Sequence, residues 1–88
     1  MTGIDQSADI LHKAAAVART DRNLEMMDCA ALLHVYLELF RLRPDDSAAR
    51  RDLEEAVRRL LDAANRHPLW RTALLEFTTA EASAACVA

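Results

Sequence analysis

Histidines and acidic residues are the side chains of this chain whose spacing could bind a metal. Three histidines, His12, His34 and His67, fall on three different segments of the chain. Asp9 lies three residues before His12, and Glu38 lies four residues after His34, so each pair shares one helix face. A carboxylate metal centre in a helical bundle requires two Glu-x-x-His motifs and two further glutamates. That repetition is missing, so we expect neither a metal site nor a cofactor.

The candidate nucleophiles are two cysteines, Cys29 and Cys86, and Ser47. None of them has a general base at recognisable spacing, and a single glycine, Gly3, leaves no glycine-rich phosphate loop. Ser47 follows two aspartates, a pattern similar to the phosphopantetheine serine of acyl carrier proteins. Its place directly after a long predicted helix favours instead the first turn of the next helix. We predict no catalytic residues, no small-molecule substrate and reduced cysteines.

The composition predicts an all-α fold. The chain has 88 residues, of which 52% are hydrophobic, with one glycine and two prolines. Alanine and leucine, which favour helix, are the commonest residues. We expect a single domain over residues 1–88, built as a bundle of three to four helices with helical-hairpin packing. Residues 1–4 should be flexible, and residues 82–88 should form a fraying tail.

The charge argues against a nucleic-acid-binding surface. The formal net charge is −3, and acids such as Glu54, Glu55 and Asp62 interrupt the arginines of the third helix. Ten of the eleven basic residues are arginine, a bias typical of GC-rich genomes. No apolar run approaches the roughly 18 residues that span a bilayer, and no secretory leader is recognisable. We expect a bacterial, cytoplasmic protein without membrane contact.

Four helices can be placed along the chain, at about 5–19, 24–42, 47–66 and from Pro68 onwards. Asn23 is the predicted N-cap of the second helix, and Asp46 that of the third. The third helix should end near His67, because proline disfavours α conformation in the residue before it. Its exposed face carries three acid-before-base pairs, Glu54–Arg58, Glu55–Arg59 and Asp62–Arg66.

The second helix is apolar nearly all round, with fourteen apolar residues out of nineteen. Its polar stripe changes side, from Glu25 and Asp28 to His34, Glu38 and Arg41. Such a helix is buried on several sides, in a bundle centre or a subunit interface. We predict that it binds a protein partner or a second copy. The predicted partner-binding residues are Met27, Leu33, Tyr36, Leu37, Phe40 and Trp70.

Residues 36–53 resemble the junction between two tetratricopeptide repeats. The matching positions are an aromatic, a leucine, a proline, two acids, a small residue and a second leucine: Tyr36, Leu42, Pro44, Asp45, Asp46, Ala49 and Leu53. The resemblance implies a tightly packed helical hairpin. Arg50 and Glu54 stand where that family favours tryptophan and glycine, and Leu32 and Leu39 where it favours alanine. A generic turn between two helices explains the same residues.

The functional prediction is a protein–protein interaction module without enzymatic activity. An adaptor, a small chaperone or an inhibitor fits this size and the surplus of apolar surface on the second helix. The alternative is a DNA-associated regulator or antitoxin-like protein, which would bind DNA in a salt-dependent way.

Overall fold

Helices make up most of the described chain. The computed structural model describes residues 3–77. The helices are α1 (Gly3–Ala18), α2 (Leu24–Leu42), α3 (Ser47–Ala64) and α4 (Pro68–Ala73), followed by a helical segment at residues 75–77. No strand occurs in this part of the chain. The predicted all-α bundle is confirmed.

The helix boundaries follow local signals in the sequence. α2 has the predicted bounds, whereas α1 begins two residues earlier than predicted, at Gly3, and α3 ends two residues earlier, at Ala64. His67 has the extended backbone angles φ −130° and ψ 109°, as expected for the residue before a proline. Pro68 then occupies the first turn of α4. Its fixed φ and missing N–H suit that position.

Both predicted N-caps are confirmed. The Asn23 side-chain oxygen accepts a hydrogen bond from the Met26 backbone N–H at 3.1 Å. Asp46 Oδ1 accepts from the N–H groups of Ala48 and Ala49, at 2.9 and 3.4 Å. These bonds satisfy backbone donors that have no partner within the helix. They place the starts of α2 and α3 at fixed residues.

The four helices close into a ring around one core. α2 packs against α1 and α3, and α4 packs against the same two helices. α2 and α3 are antiparallel, because Glu25 at the start of α2 contacts Arg66 just beyond the end of α3. Every helix contributes to the core, whose largest fully buried side chains are Ile10, Met26, Leu33, Leu37, Leu60, Trp70 and Leu74.

Two side-chain contacts attach the C-terminal part of the described chain. Trp70 is fully buried, and its indole N–H donates a 2.9 Å hydrogen bond to Asp21 Oδ2 in the α1–α2 connection. Lys13 on α1 forms an ion pair with Glu76 and lies 5.5 Å from the Phe77 ring centroid. Contacts between α1 and residues 70–77 therefore complete the ring.

The predicted flexible ends lie largely outside the described residues. Residues 3 and 4 belong to α1, whereas residues 1–2, the predicted tail at 82–88 and Cys86 fall beyond the described range. Within that range, none of the helices combines the length and the apolar character that a membrane span requires.

Candidate interaction surface

The outward face of α2 carries a row of exposed apolar side chains. Leu32, Val35 and Leu39 are 44%, 49% and 47% exposed, and Leu42 at the helix end is 77% exposed. Their spacing of three, four and three residues places them within an arc of roughly 80° on an ideal helix. We call these four residues the α2 stripe. The stripe faces away from the core, which contacts the opposite side of the helix through Met26, Leu33 and Leu37.

A groove between α2 and α3 borders the stripe. It has a volume of about 370 Å³. Its lining from α2 combines acidic, thiol, aliphatic and aromatic groups, and its lining from α3 is mainly charged: Glu25, Asp28, Cys29, Leu32 and Tyr36, then Asp52, Glu55, Ala56 and Arg59. Leu32 belongs to both the groove and the stripe, so the two features form one continuous surface.

The groove contains two acids that make no ion pair with any described residue, Asp28 and Asp52. Glu55, by contrast, accepts hydrogen bonds from Arg58 at 2.5 and 3.2 Å and from Arg59 at 3.1 Å. The bonds from Arg58 and then Arg59 lower the pKa of Glu55. Arg58 thus pairs with Glu55 and not with Glu54, the partner predicted from spacing, while the other two predicted pairs form. The uncompensated charge of the groove is negative.

Cys29 lines the groove but is a poor nucleophile. Burial raises the pKa of its thiol, and the nearby carboxylates of Glu25 and Asp28 raise it further. The thiolate is the reactive form of cysteine, so a raised pKa lowers its reactivity at neutral pH. Cys29 is not in a disulfide. A free thiol at Cys29 agrees with the predicted reduced state of this residue. Cys86 lies outside the described residues.

A polar network joins the start of α2 to the α3–α4 connection. The Glu25 carboxylate accepts hydrogen bonds from Arg66 at 2.5 Å and from His67 Nε2 at 2.8 Å. The Asn23 amide nitrogen lies 3.1 Å from His67 Nδ1. Because Asn23 Oδ1 already accepts from Met26 N–H, its amide group donates to His67 Nδ1. His67 therefore carries its proton on Nε2 when neutral.

This network leaves neither ring nitrogen of His67 free for acid–base catalysis. Both ring nitrogens of His67 are hydrogen-bonded within the network, one to Asn23 and one to Glu25. A general base needs a free atom within hydrogen-bonding distance of the proton that it abstracts. The arrangement fixes the end of α3 against α2. The hydrogen bonds from His67 and then Arg66 lower the pKa of Glu25.

The structure separates the predicted partner-binding residues into two groups. Leu33, Leu37 and Trp70 lie in the core, with at most 1% exposure. A second protein cannot reach them while the bundle is folded, so these three are corrected to core residues. The accessible group comprises Met27, which is 39% exposed, and the half-buried residues Tyr36 and Phe40.

The exposed row is not among the sequence-based predictions, although the three-four-three spacing of Leu32, Val35, Leu39 and Leu42 is a signal for one. An apolar helix offers several such rows. The core contacts decide which row remains outside.

The other sequence-based candidates lie at separate places. His12, His34 and His67 are on α1, on α2 and before α4. Across residues 3–77 no three histidine, cysteine, aspartate or glutamate side chains are grouped as metal ligands would be. Ser47 is the first residue of α3, as predicted.

Residues 36–53, the stretch compared with a repeat junction, span the end of α2, the turn and the start of α3, and these two helices pack against each other. No family model, curated protein or solved structure matches the chain.

Proposed function

We propose that this protein is a non-enzymatic interaction module that binds a helix of another polypeptide along the outward face of α2. The observation that carries the proposal is the α2 stripe, in which four large apolar side chains lie exposed at helical spacing. An adaptor, a small chaperone or an inhibitor would each use such a surface. The proposal includes both self-association and a complex with a different protein.

The energetics support binding along the stripe. Fully burying one leucine or valine side chain stabilises a complex by about 1.5–3 kcal/mol. Leu32, Val35, Leu39 and Leu42 each retain at least 44% exposure in the isolated chain. Apolar residues spaced three and four apart pack into the gaps between side chains of a second helix. A partner helix would gain this contact without any rearrangement of the core.

The scaffold supports the same proposal because α2 is held on its other sides. α1 and α3 pack against it, its N-cap is formed by Asn23, and the Glu25–Arg66 contact fixes its first turn to the end of α3. A helix held in this way keeps its outward side chains in place. Little conformational entropy is then lost on binding.

Site-specific photo-crosslinking in the source cells tests the proposal. A benzophenone amino acid replaces Val35 in one variant and Leu69 in a matched control, since Leu69 is also exposed, at 59%, but lies on α4. We expect a discrete crosslinked adduct from position 35 and none from position 69. Mass spectrometry then identifies the adduct as a second copy or a different protein.

A further substitution makes the result decisive. Leu39→Glu places a charge in the middle of the stripe and should abolish the adduct from position 35. No adduct at position 35, or an adduct that persists with Leu39→Glu, would contradict the proposal.

A further inference from the structure

We propose that the partner of the α2 stripe is a second copy of this chain, packed antiparallel about a two-fold axis, with Asp28 of each copy paired to Arg43 of the other. This inference rests on the proposed function and specifies the partner. It follows from the positions of the apolar side chains and Asp28 on α2 and of Arg43, the residue that directly follows its last turn.

Part of the stripe is self-complementary about one axis, which relates Leu32 to Leu39 and places Leu42 opposite Cys29. In two antiparallel helices, residues equally distant from the axis lie opposite each other, and each contact occurs twice. An axis between Val35 and Tyr36 places Leu32 of one copy opposite Leu39 of the other. The same axis places Val35 opposite Tyr36, which lines the adjacent groove. The centre of the interface is then apolar and aromatic.

The charges at the two ends of this row are complementary about the same axis. Asp28 lies seven residues before Val35 and Arg43 lies seven residues after Tyr36, so the two are opposite each other in the antiparallel pair. On an ideal helix they are separated by roughly 22 Å along the axis. Both are exposed, and neither forms an ion pair with residues 6–77. Arg43 of the second copy would supply the cation that Asp28 lacks.

Other arrangements fit the charges less well. A parallel pair would bring Asp28 against Asp28 and Arg43 against Arg43, and like charges across an interface oppose association. Antiparallel helices also place the positive end of one macrodipole beside the negative end of the other. Glu38 and Arg41 flank the stripe but neutralise each other through a 2.8 Å ion pair on the same helix.

Charge reversal tests the pairing. The wild type, Asp28→Arg, Arg43→Asp and the double variant are compared by sedimentation equilibrium at high micromolar concentration. Two single reversals at exposed positions outside the stripe, Asp9→Arg and Arg71→Asp, match the changes in charge. Far-ultraviolet circular dichroism checks that every variant is folded.

We expect the wild type at twice the 9.8 kDa of the chain. Each single reversal in the pair should weaken the dimer at least about tenfold. The double variant should regain the wild-type dimer, and the two control variants should dimerise as the wild type does.

Two results would overturn the inference. One is a wild type that stays monomeric, and the other is a double variant that remains as weak as the single reversals. If the wild type is a monomer and position 35 still forms an adduct with a different protein, only the inference that the partner is a second copy is overturned. Absence of both dimer and adduct overturns the proposed function as well.

Discussion

Trp70 and Asp21 form a hydrogen bond that joins α4 to the α1–α2 connection. The indole N–H is buried with Trp70 and donates to the Asp21 carboxylate at 2.9 Å. Asp21→Ala should lower the free energy of unfolding by about 1–3 kcal/mol, because a buried donor loses its partner. Urea unfolding followed by circular dichroism measures this loss. Arg22→Ala, at the exposed neighbouring position, is the control, and equal losses in both variants would contradict the assignment.

Glu25 predicts a pH dependence of stability. Hydrogen bonds from His67 and then Arg66 lower its pKa in the folded state from the ordinary value of 4.5. A carboxyl group with a lowered folded-state pKa stabilises the protein above the unfolded-state pKa. This contribution is lost as the pH falls through the folded-state pKa. Glu25→Gln should therefore reduce stability at neutral pH and have no effect in acid, below both pKa values.

Urea unfolding of Glu25→Gln and the wild type at several pH values measures this difference. The effect should be small because the carboxylate is exposed to solvent. Glu54→Gln, on the exposed face of α3, is the matched control. If Glu25→Gln and the wild type differ in stability by the same amount at neutral and acidic pH, the contribution of these hydrogen bonds does not depend on the charge of the Glu25 carboxylate.

At the scale of helices, removal of the N-cap of α3 should measurably lower the stability of the fold. Asp46 accepts from the backbone N–H groups of Ala48 and Ala49. Asp46→Ala should cost about 0.5–2 kcal/mol of stability. Asp45→Ala changes the net charge equally but removes no cap. Thermal unfolding that shows equal shifts for the two variants would contradict the capping role.

The orientation of α2 predicts opposite outcomes for two neighbouring leucines. Leu37 is 1% exposed and Leu39 is 47% exposed. Leu37→Glu should destabilise the fold by about 3 kcal/mol or more, because it places a charge in the core. Leu39→Glu should leave the helix content and the stability of the monomer nearly unchanged while abolishing binding along the stripe. Circular dichroism and urea unfolding separate the two cases, and a Leu39→Glu variant that unfolds would show that Leu39 belongs to the core.

The helices could be predicted from sequence because their signals are local. Asn23, Asp46 and Pro68 mark starts through bonds to nearby backbone groups or through a fixed backbone angle. The apolar face of α3 also followed from periodicity, since Leu53 and Leu60 are buried as their spacing indicates. Local chemistry was sufficient for these elements.

The orientation of α2 could not be predicted because its apolar residues surround the helix. Which row is buried depends on where α1 and α3 pack, and these contacts join residues distant in sequence. The apolar pattern alone therefore predicts an interface for Leu33 and Leu37, although they belong to the core. The polar side at the start of α2 is explained by Glu25, which pairs with Arg66, forty-one positions away in sequence.

At the scale of the whole molecule, the ring leaves one side of its longest helix uncovered. α2 has 19 residues, and α1, α3 and α4 surround the core on its other side. The chain is only 17 Å across in its thinnest direction, so few of its residues lie far from the surface. A second copy on α2 would add a second apolar layer to a domain whose own core is small.

The proposed dimer makes thermal stability depend on protein concentration. Association stabilises the folded chain by mass action, so the midpoint of thermal unfolding should rise as the wild-type concentration increases. Leu39→Glu, which removes the stripe contact while sparing the core, should unfold at a midpoint that does not change with concentration. The measurement is circular dichroism at 222 nm over a hundredfold range of concentration, about the range needed to resolve a mass-action shift.

Leu69→Glu is the control for this series, because it changes another exposed leucine, which lies on α4. It should retain the concentration dependence of the wild type. The Asp28→Arg and Arg43→Asp double variant should also retain it, since its charges are again complementary. A wild-type midpoint that is constant over the whole range would show that the isolated chain folds as a monomer, and the stripe would then be available only to a different protein.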